Sequence, residues 1–415
     1  MENTNLKKNF IWNTIGSFTT AITSLFYTLI LTRLSDLNTT GLYTIAFAIA
    51  CTFVTLASFG GRTYQVTDTN NEIPPFSYIF SRYLTVGTTI LLLGVYLFIK
   101  GYNTFEYGII LIICLFKFLE ELSDVYFGIL QKADCLYKVG MFQFIKAIVN
   151  VILFAIIIYC FNNLFLSFLI LFLLNTLFLI FVERKSAKKR KKWKFEIDKI
   201  GIIKYFKANL FICLLTFLTT YIVNMPKYSI DSLLNNELQA IFGMIVMPAT
   251  VMLLFGGFIL NPFLVSIAEK YNKNQISNLI NLFIKMFFLI FGIGIIILIV
   301  CYFIGIPLLN LIYGVNLNDY KLSLLIIIAG SIFYAITAGI SSSLIAMRVI
   351  KSQLLGNIIV ILLSLVLCNY LVGKYEVLGA SITYSLVIFL RFLIYLIIMV
   401  IVLSKKAKQF NGKGE

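Results

Sequence analysis

Ionisable side chains interrupt an otherwise apolar sequence, and their spacing indicates where chemistry could occur. The stretch KFLEELSDVYFG carries Lys117, Glu120, Glu121 and Asp124. Residues three or four apart share a helix face, so Lys117 would lie beside Glu121 and Glu120 beside Asp124. The cluster indicates either a structural network of ion pairs or a set of carboxylates that bind a proton or a sodium ion. The sequence leaves both interpretations open.

Basic residues at other positions are candidates for binding an anion. Arg62 follows two glycines in FGGRTYQVTD, and arginine can hold two phosphate oxygens at once with its planar fork. An interfacial anchor among lipid phosphates is the alternative role for Arg62. The candidate anion-binding residues are Arg62, Arg82, Lys146, Lys227, Lys285 and Arg391.

Several kinds of site are excluded or disfavoured by composition. The chain has no histidine, so an imidazole zinc site, a Ser-His-Asp triad and a histidine proton relay cannot form. Its seven cysteines are scattered without CxxC spacing, which predicts neither a disulfide framework nor a metal site. No metal, no cofactor and no catalytic residue is therefore expected.

The composition predicts that most of the chain lies in lipid. Of 415 residues, 60% are hydrophobic and 13% are charged, and the mean hydropathy is +0.95. A helix needs about 20 apolar residues to cross the hydrocarbon, so we predict an all-α polytopic protein with about twelve membrane spans. The predicted spans cover residues 10–33, 40–61, 79–99, 105–129, 138–160, 163–183, 207–225, 239–264, 279–303, 320–346, 353–372 and 377–403.

The distribution of positive charge predicts the orientation of these spans. Most of the 34 lysine and arginine residues fall in alternate loops, and the densest cluster begins RKSAKKRKKWKF after the sixth span. Basic loops face the cytoplasm, so both termini are predicted to be cytoplasmic. Because this cluster lies between two spans, anionic lipid is a nearer partner for it than nucleic acid.

The basic cluster divides the predicted spans into two sets of six. We predict an N-terminal six-helix bundle at 1–183, a cytoplasmic linker at 184–206 and a C-terminal six-helix bundle at 207–415. A shift of 199 residues aligns the start of the two halves without a gap and places Tyr43 on Phe242. Two halves in the same orientation are typical of transporters whose substrate site lies between parallel repeats.

Charges inside predicted spans are costly in lipid, so each is a candidate functional residue. Glu120 and Lys146 would both lie about 12 Å from the inner ends of their spans, at 1.5 Å per residue. Because these spans form an antiparallel hairpin, we predict that Lys146 pairs with Glu120 or Glu121. Arg391 would lie about 18 Å deep, which predicts a wet cavity or an acidic partner around it.

The order of polar residues in the first spans resembles a known family. The residues that carry the resemblance are Lys8-Asn9, Trp12-Asn13, Gly16, Arg33-Leu34-Ser35, Gly41, Tyr43, Gly60, Arg62, Tyr64, Asp68 and Arg82. The chain resembles the polysaccharide repeat-unit flippases (Wzx type) of the MOP exporter superfamily by this order, by its span count and by its length. The resemblance implies a V-shaped bundle in the bacterial cytoplasmic membrane that moves undecaprenyl-diphosphate-linked oligosaccharide by alternating access. The chain departs from the family pattern at Ser35-Asp36, Ala240 and Phe242.

Other functions remain as alternatives. A lipid II flippase handles the same diphosphate, and a multidrug exporter of the MATE type belongs to the same superfamily. A membrane-embedded polysaccharide polymerase would need catalytic residues in a large loop. For the flippase, the expected partners are the lipid-linked oligosaccharide, membrane lipids, a polysaccharide polymerase and chain-length proteins, with no nucleic acid. Protons or sodium are the candidate coupling ions.

Overall fold

Helices dominate the architecture of the residues that the structure describes. A computed structural model describes residues 2–68, 70, 72–191, 193, 195–260 and 263–411, so Lys192 and Lys194 of the basic linker lie outside them. The α-helices are α1 (Glu2–Leu34), α2 (Leu37–Ser58), α3 (Gly61–Thr67), α4 (Pro75–Lys100), α5 (Thr104–Lys132), α6 (Leu136–Phe161), α7 (Leu164–Phe178), α8 (Arg184–Arg190), α9 (Lys199–Leu233), α10 (Asn236–Leu260), α11 (Leu264–Asn272), α12 (Ile276–Val300), α13 (Ile306–Tyr313), α14 (Lys321–Ala346) and α15 (Lys351–Asn411). π-Helical turns at Leu179–Glu183 and Cys301–Gly305 join α7 to α8 and α12 to α13. The predicted all-α polytopic class is confirmed.

Ten helices in the described part of the chain are long and apolar enough to cross a membrane, against about twelve predicted spans. One difference is α5, which has 29 residues but carries the four charged side chains of KFLEELSDVYFG. The other is α15, which runs for 61 residues and contains the last two predicted spans. Its helical path breaks at Glu376, where φ is 50° and ψ is −125°. When α5 is counted and α15 is divided at Glu376, the helices account for all twelve predicted spans.

The chain divides into two compact units, Met1–Phe217 and Leu218–Glu415. The boundary lies inside α9, whereas the sequence placed residues 199–206 of that helix in the linker and the rest in the second bundle. The first half of α9 belongs to the first unit because it packs there. The Tyr205 hydroxyl donates to the Phe59 carbonyl at 3.2 Å, and the Cys213 thiol contacts the Thr55 carbonyl at 3.7 Å.

The two halves repeat the same helix boundaries. Helix α1 ends at Leu34 and α9 at Leu233, while α2 begins at Leu37 and α10 at Asn236, so both pairs are separated by the 199 residues that aligned the sequence. The aligned residues Ala50 and Ala249 are both buried, at 0% and 1% exposure. The shift therefore relates equivalent helices and not merely two apolar runs.

An aromatic cluster forms the middle of the first unit. The Tyr27 ring lies 4.6 Å from that of Phe154 and 6.2 Å from that of Tyr43, measured between centroids. Phe168 stacks on Tyr43 at 5.9 Å. These rings join α1, α2, α6 and α7, and Tyr27 and Phe168 also line the cavity described below.

Candidate functional site

The first unit encloses a cavity of 410 Å³, and charged residues predicted from the sequence converge on it. Its wall comes from α1, α2, α5, α6 and α7. The charged residues in its wall are Lys117, Glu120, Glu121, Asp124 and Lys146. The hairpin geometry predicted for α5 and α6 is therefore realised, because residues from both helices reach the same space.

The charges of this cavity are paired. Lys117 donates to Glu120 one helical turn away, and the Glu120 side chain is the most exposed acid of the group at 36%. The Lys146 ammonium lies 3.0 Å from Glu183 Oε1 and donates to Ser123 Oγ at 3.1 Å. Each ion pair lowers the cost of holding a charge at membrane depth.

The predicted pairing of Lys146 with Glu120 or Glu121 is wrong. Lys146 turns instead towards the sixth span, where the Glu183 side chain is 0% exposed. Glu120 forms an ion pair with Lys117 and therefore does not pair with Lys146. The equal depth predicted from the antiparallel hairpin did not select the partner.

Glu183 is the functional candidate that sequence reasoning missed. It ends the π-helical turn Leu179–Glu183, and one extra residue in a helical turn changes the face on which later residues lie. Glu183 is the last residue before the basic linker, so the sequence placed it at the end of the sixth predicted span and gave it no role. Its Oε2 atom has no hydrogen-bond partner among the described residues, so the buried carboxylate is only half satisfied.

Uncharged polar side chains also line the cavity, in addition to Lys146 and the other charged residues. The Asn175 amide donates to Asn150 Oδ1 at 2.8 Å, and both residues are buried. Tyr27 Oη and Gln143 Oε1 also line the cavity and have no partner among the described residues. Buried polar atoms without a partner are costly, so the cavity suits water or a ligand that offers hydrogen bonds.

Arg62 and Arg82 contact the acids of α5 from the other side. Arg62 Nη1 lies 3.2 Å from Asp124 Oδ1, and its Nε donates to Gln131 Oε1 at 3.0 Å. Arg82 Nη1 lies 2.8 Å from Glu121 Oε2, and its Nη2 lies 3.7 Å from Asp124 Oδ2. Asp124 therefore bridges the two arginines.

Arg62 and Arg82 differ in how far their side chains are exposed. The Arg82 side chain is 3% exposed, and its Nη1 also donates to the Ser58 carbonyl at 2.7 Å. The Arg62 side chain is 24% exposed. Arg82 lies two turns inside α4 and is buried. Arg62 is the one that a ligand can reach.

The two glycines before Arg62 have separate roles. Gly60 precedes α3 with φ of 66°, a left-handed conformation that glycine adopts without strain. A Cβ on Gly61 would lie 2.1 Å from the Arg82 Nη2 atom. A side chain at position 61 would therefore displace the Arg82 guanidinium, which packs against the backbone of Gly61.

Asp68 stabilises the loop between α3 and α4 through hydrogen bonds to its carboxylate. Its carboxylate accepts hydrogen bonds from the backbone N–H groups of Glu72, at 2.9 Å, and Ile73, at 3.3 Å, and from the Tyr78 hydroxyl at 3.0 Å. Burial acts to raise the pKa of Asp68, but these bonds and the nearby Lys132 outweigh it and lower the pKa below its ordinary value. Asp68 thus remains charged and holds α3 and α4 together beside the arginines.

Arg391 occupies a closed polar cluster in the second unit. It is 2% exposed, and its Nε donates to Asn357 Oδ1 at 3.0 Å while its Nη2 donates to Thr219 Oγ1 at 2.9 Å. The Tyr395 ring lies 4.8 Å from the guanidinium carbon. The predicted wet cavity or acidic partner is wrong, because neutral amide, hydroxyl and aromatic groups surround the charge.

The other two candidates also belong to the second unit. Lys227 lies in α9 directly after Pro226 and is partly buried. Lys285 is exposed on α12 beside the buried Met286 and contacts no other charged group among the described residues. Their predicted anion-binding role stays a prediction.

Comparison with known proteins supports the family resemblance. No family model matches the chain. The capsular polysaccharide biosynthesis protein CapF of Staphylococcus aureus is 24% identical over 391 residues, which cover 94% of this chain and 98% of CapF. The similarity thus extends through both halves and the basic linker.

Solved structures share the architecture. A multidrug resistance MATE transporter of the MOP superfamily in an inward-facing conformation superposes with a TM-score of 0.70 at 11% identity, covering 96% of this chain and 99% of the transporter. The lipid II flippase MurJ in an inward closed conformation gives 0.67 at 17% identity, covering 96% and 90%. The chain is a multi-pass membrane protein with the fold of the MOP superfamily of transporters.

Proposed function

We propose that the protein is a flippase that moves undecaprenyl-diphosphate-linked oligosaccharide repeat units across the bacterial cytoplasmic membrane by alternating access, for surface polysaccharide synthesis. The observation that carries the proposal is the similarity to a capsular polysaccharide biosynthesis protein along 94% of a chain with this transporter fold. The polar cavity adds hydrogen-bonding groups of the kind that a sugar requires. The activity proposed is transport and not catalysis.

The pairing of charges favours this substrate over an organic cation. A cation exporter needs carboxylates that are free to receive its substrate. Every acid that lines or adjoins the cavity has a basic partner within the first unit, namely Glu120, Glu121, Asp124 and Glu183. A neutral sugar or a diphosphate does not require an uncompensated acid there.

Transport can be tested in vesicles that contain the purified protein and a fluorescent lipid-linked oligosaccharide. We expect the protein to expose the labelled sugar to a membrane-impermeant quencher, while a fluorescent phospholipid in the same vesicles stays in its leaflet. Lipid II and ethidium serve as the alternative substrates. Preference for either over the oligosaccharide, or equal movement of the phospholipid, would reject the proposal.

We also propose that the acids of α5 couple this transport to protons or sodium. Glu120 lines the cavity and is partly exposed, so it can exchange an ion with water more readily than the buried Glu183. The same vesicles under a pH gradient and, separately, under a sodium gradient give the readout. A rate unchanged by both gradients would leave the acids with a structural role only.

The proposed orientation places both termini and the basic linker in the cytoplasm. In a variant without native cysteines, single cysteines at Asn103, Asn163 and Asn316 should react with an impermeant thiol reagent added outside. Cysteines at Asn71, which lies outside the described residues, and at Ser186 and Asn274 should react only after the membrane is permeabilised. Outside labelling at Ser186 would reverse the orientation.

A further inference from the structure

Three helical segments of the second unit pack together around Arg391: the second half of α9 and the two parts of α15 on either side of Glu376. A buried apolar cluster marks this junction with one residue from each segment: Ile222, Val360 and Val387. One helical turn away on the same segments, Thr219, Asn357 and Arg391 form a polar layer. Because Asn357 is 0% and Arg391 is 2% exposed, bulk water does not surround the guanidinium.

Oxygen atoms converge on the guanidinium in this polar layer. Asn357 Oδ1 accepts hydrogen bonds from Arg391 Nε and from the Tyr395 hydroxyl, both at 3.0 Å. Thr219 Oγ1 accepts from Arg391 Nη2 at 2.9 Å and from the Asn357 amide at 3.0 Å. Tyr395 Oη lies 3.3 Å from Arg391 Nη2. Three neutral oxygens, one from each segment, thus face a single positive group, as the oxygen ligands of a bound cation do.

The positive charge of Arg391 has no carboxylate partner. None of the ion pairs among the described residues includes Arg391. A buried charge is costly unless its surroundings replace the water that it has lost. The three oxygens are the groups that do so here, and without the guanidinium they would converge on an empty space. The closed junction and the charge therefore depend on each other.

The first unit leaves the corresponding junction open. The shift of 199 residues that relates the two halves places Thr219 on Thr20, which lines the cavity of the first unit. The fifth and sixth spans, which correspond in order to the two parts of α15, contribute Asn150 and Asn175 to the same cavity. The same three spans thus border a cavity in one half and enclose an arginine side chain in the other.

We propose that the guanidinium of Arg391 is a built-in cation, which occupies a cation-binding site formed by Thr219, Asn357 and Tyr395. The site is thereby filled permanently, and its three segments are held together without an ion from solution. In the transport cycle, exchange of ligands and ions is then confined to the cavity of the first unit. Binding at this site does not require the flippase function, whereas its consequence for transport rests on that function.

Removal of the side chain should open the site to a free cation of the same shape. In purified full-length Arg391→Ala, guanidinium chloride at several times its dissociation constant should raise the thermal unfolding midpoint by about 2–4 °C. Urea has a similar planar shape without the charge, and sodium chloride matches the ionic strength, so neither should produce this rise. An equal rise with urea or sodium chloride would attribute the effect to space filling or ionic strength and reject the site, as would no rise in any of the three solutions.

Two control variants separate this site from general effects. Lys374→Ala removes an exposed cation from the same helix, α15, and should not respond to guanidinium. Asn357→Leu added to Arg391→Ala removes the oxygen that accepts from Nε and should abolish the response. A response in Lys374→Ala, or one that persists in the double variant, would contradict the proposal.

The same comparison applies if Arg391→Ala does not fold in ordinary buffer. The variant is then extracted in detergent with guanidinium chloride, urea or sodium chloride at equal concentration. Monodisperse protein should be recovered with guanidinium only. Equal recovery in the three solutions, or recovery in none, would reject the site.

Transport gives an independent readout. In the vesicle assay, Arg391→Ala should move oligosaccharide slowly and regain its rate with guanidinium, which should leave the wild-type rate unchanged. Guanidinium that stabilises Arg391→Ala without restoring its transport would retain the site and reject its role in the cycle. A wild-type protein that moves no oligosaccharide, beside an Arg391→Ala variant that guanidinium stabilises, would retain the site and reject the flippase.

Discussion

Replacement of Lys146 by Met should remove most of the folded protein from the membrane. The change leaves the Glu183 carboxylate fully buried, with one oxygen already lacking a partner among the described residues and the other losing its ammonium. Breaking a buried ion pair by removing one member costs on the order of 3–5 kcal/mol, because an isolated charge remains. The folded fraction can be measured as the monodisperse protein extracted in mild detergent and by its thermal unfolding midpoint.

The double change Lys146→Met with Glu183→Met should recover much of that loss, because it removes both charges and fills the space with apolar groups. Lys117→Met is the matched control. It breaks an ion pair on the same cavity, but its partner Glu120 is 36% exposed and can be solvated, so the loss should be smaller. A double variant no better than Lys146→Met, or a Lys117→Met variant equally unstable, would show that burial of Glu183 does not set the cost.

The sequence predicted the fold because hydropathy and charge act over whole helices. Twenty apolar residues define a span whatever their order, and the twelve predicted spans all correspond to helical segments. Even the 199-residue repeat appears in the helix boundaries. The count of ten apolar helices differs only where α5 carries its charge cluster and where α15 continues through Glu376.

The partners of individual charges were less predictable, because they depend on rotation about the helix axis. The π-helical turn that ends at Glu183 has no clear sequence signature, yet it helps decide which side of the helix faces Lys146. Gly61 is similar, since its role is visible only once Arg82 is placed against it. Arg391 shows a further limit. Depth predicted an acidic partner or water, but neutral side chains from three helical segments surround it instead.

Arg62→Lys should lower transport about tenfold while the amount of folded protein stays normal. In the structure Arg62 uses two nitrogens at once, one on Asp124 and one on Gln131, and lysine has a single ammonium that cannot reproduce this fork. We propose that the same fork takes the substrate diphosphate during the cycle, in exchange for these partners. The loss of one charge-assisted hydrogen bond, about 1.5–3 kcal/mol, corresponds to a factor of ten or more.

Three variants decide between this role and an interfacial anchor. Arg190→Lys is the matched control, because Arg190 is exposed in the basic linker and keeps its charge. Arg62→Ala should lose more transport than Arg62→Lys, whereas an anchor needs only positive charge and would tolerate lysine. If Arg62→Lys moves lipid-linked oligosaccharide in vesicles as fast as Arg190→Lys, the fork has no role in transport. If its folded yield falls together with transport, the contact with Asp124 and Gln131 stabilises the C-terminal end of α5, and the diphosphate must be bound by other residues.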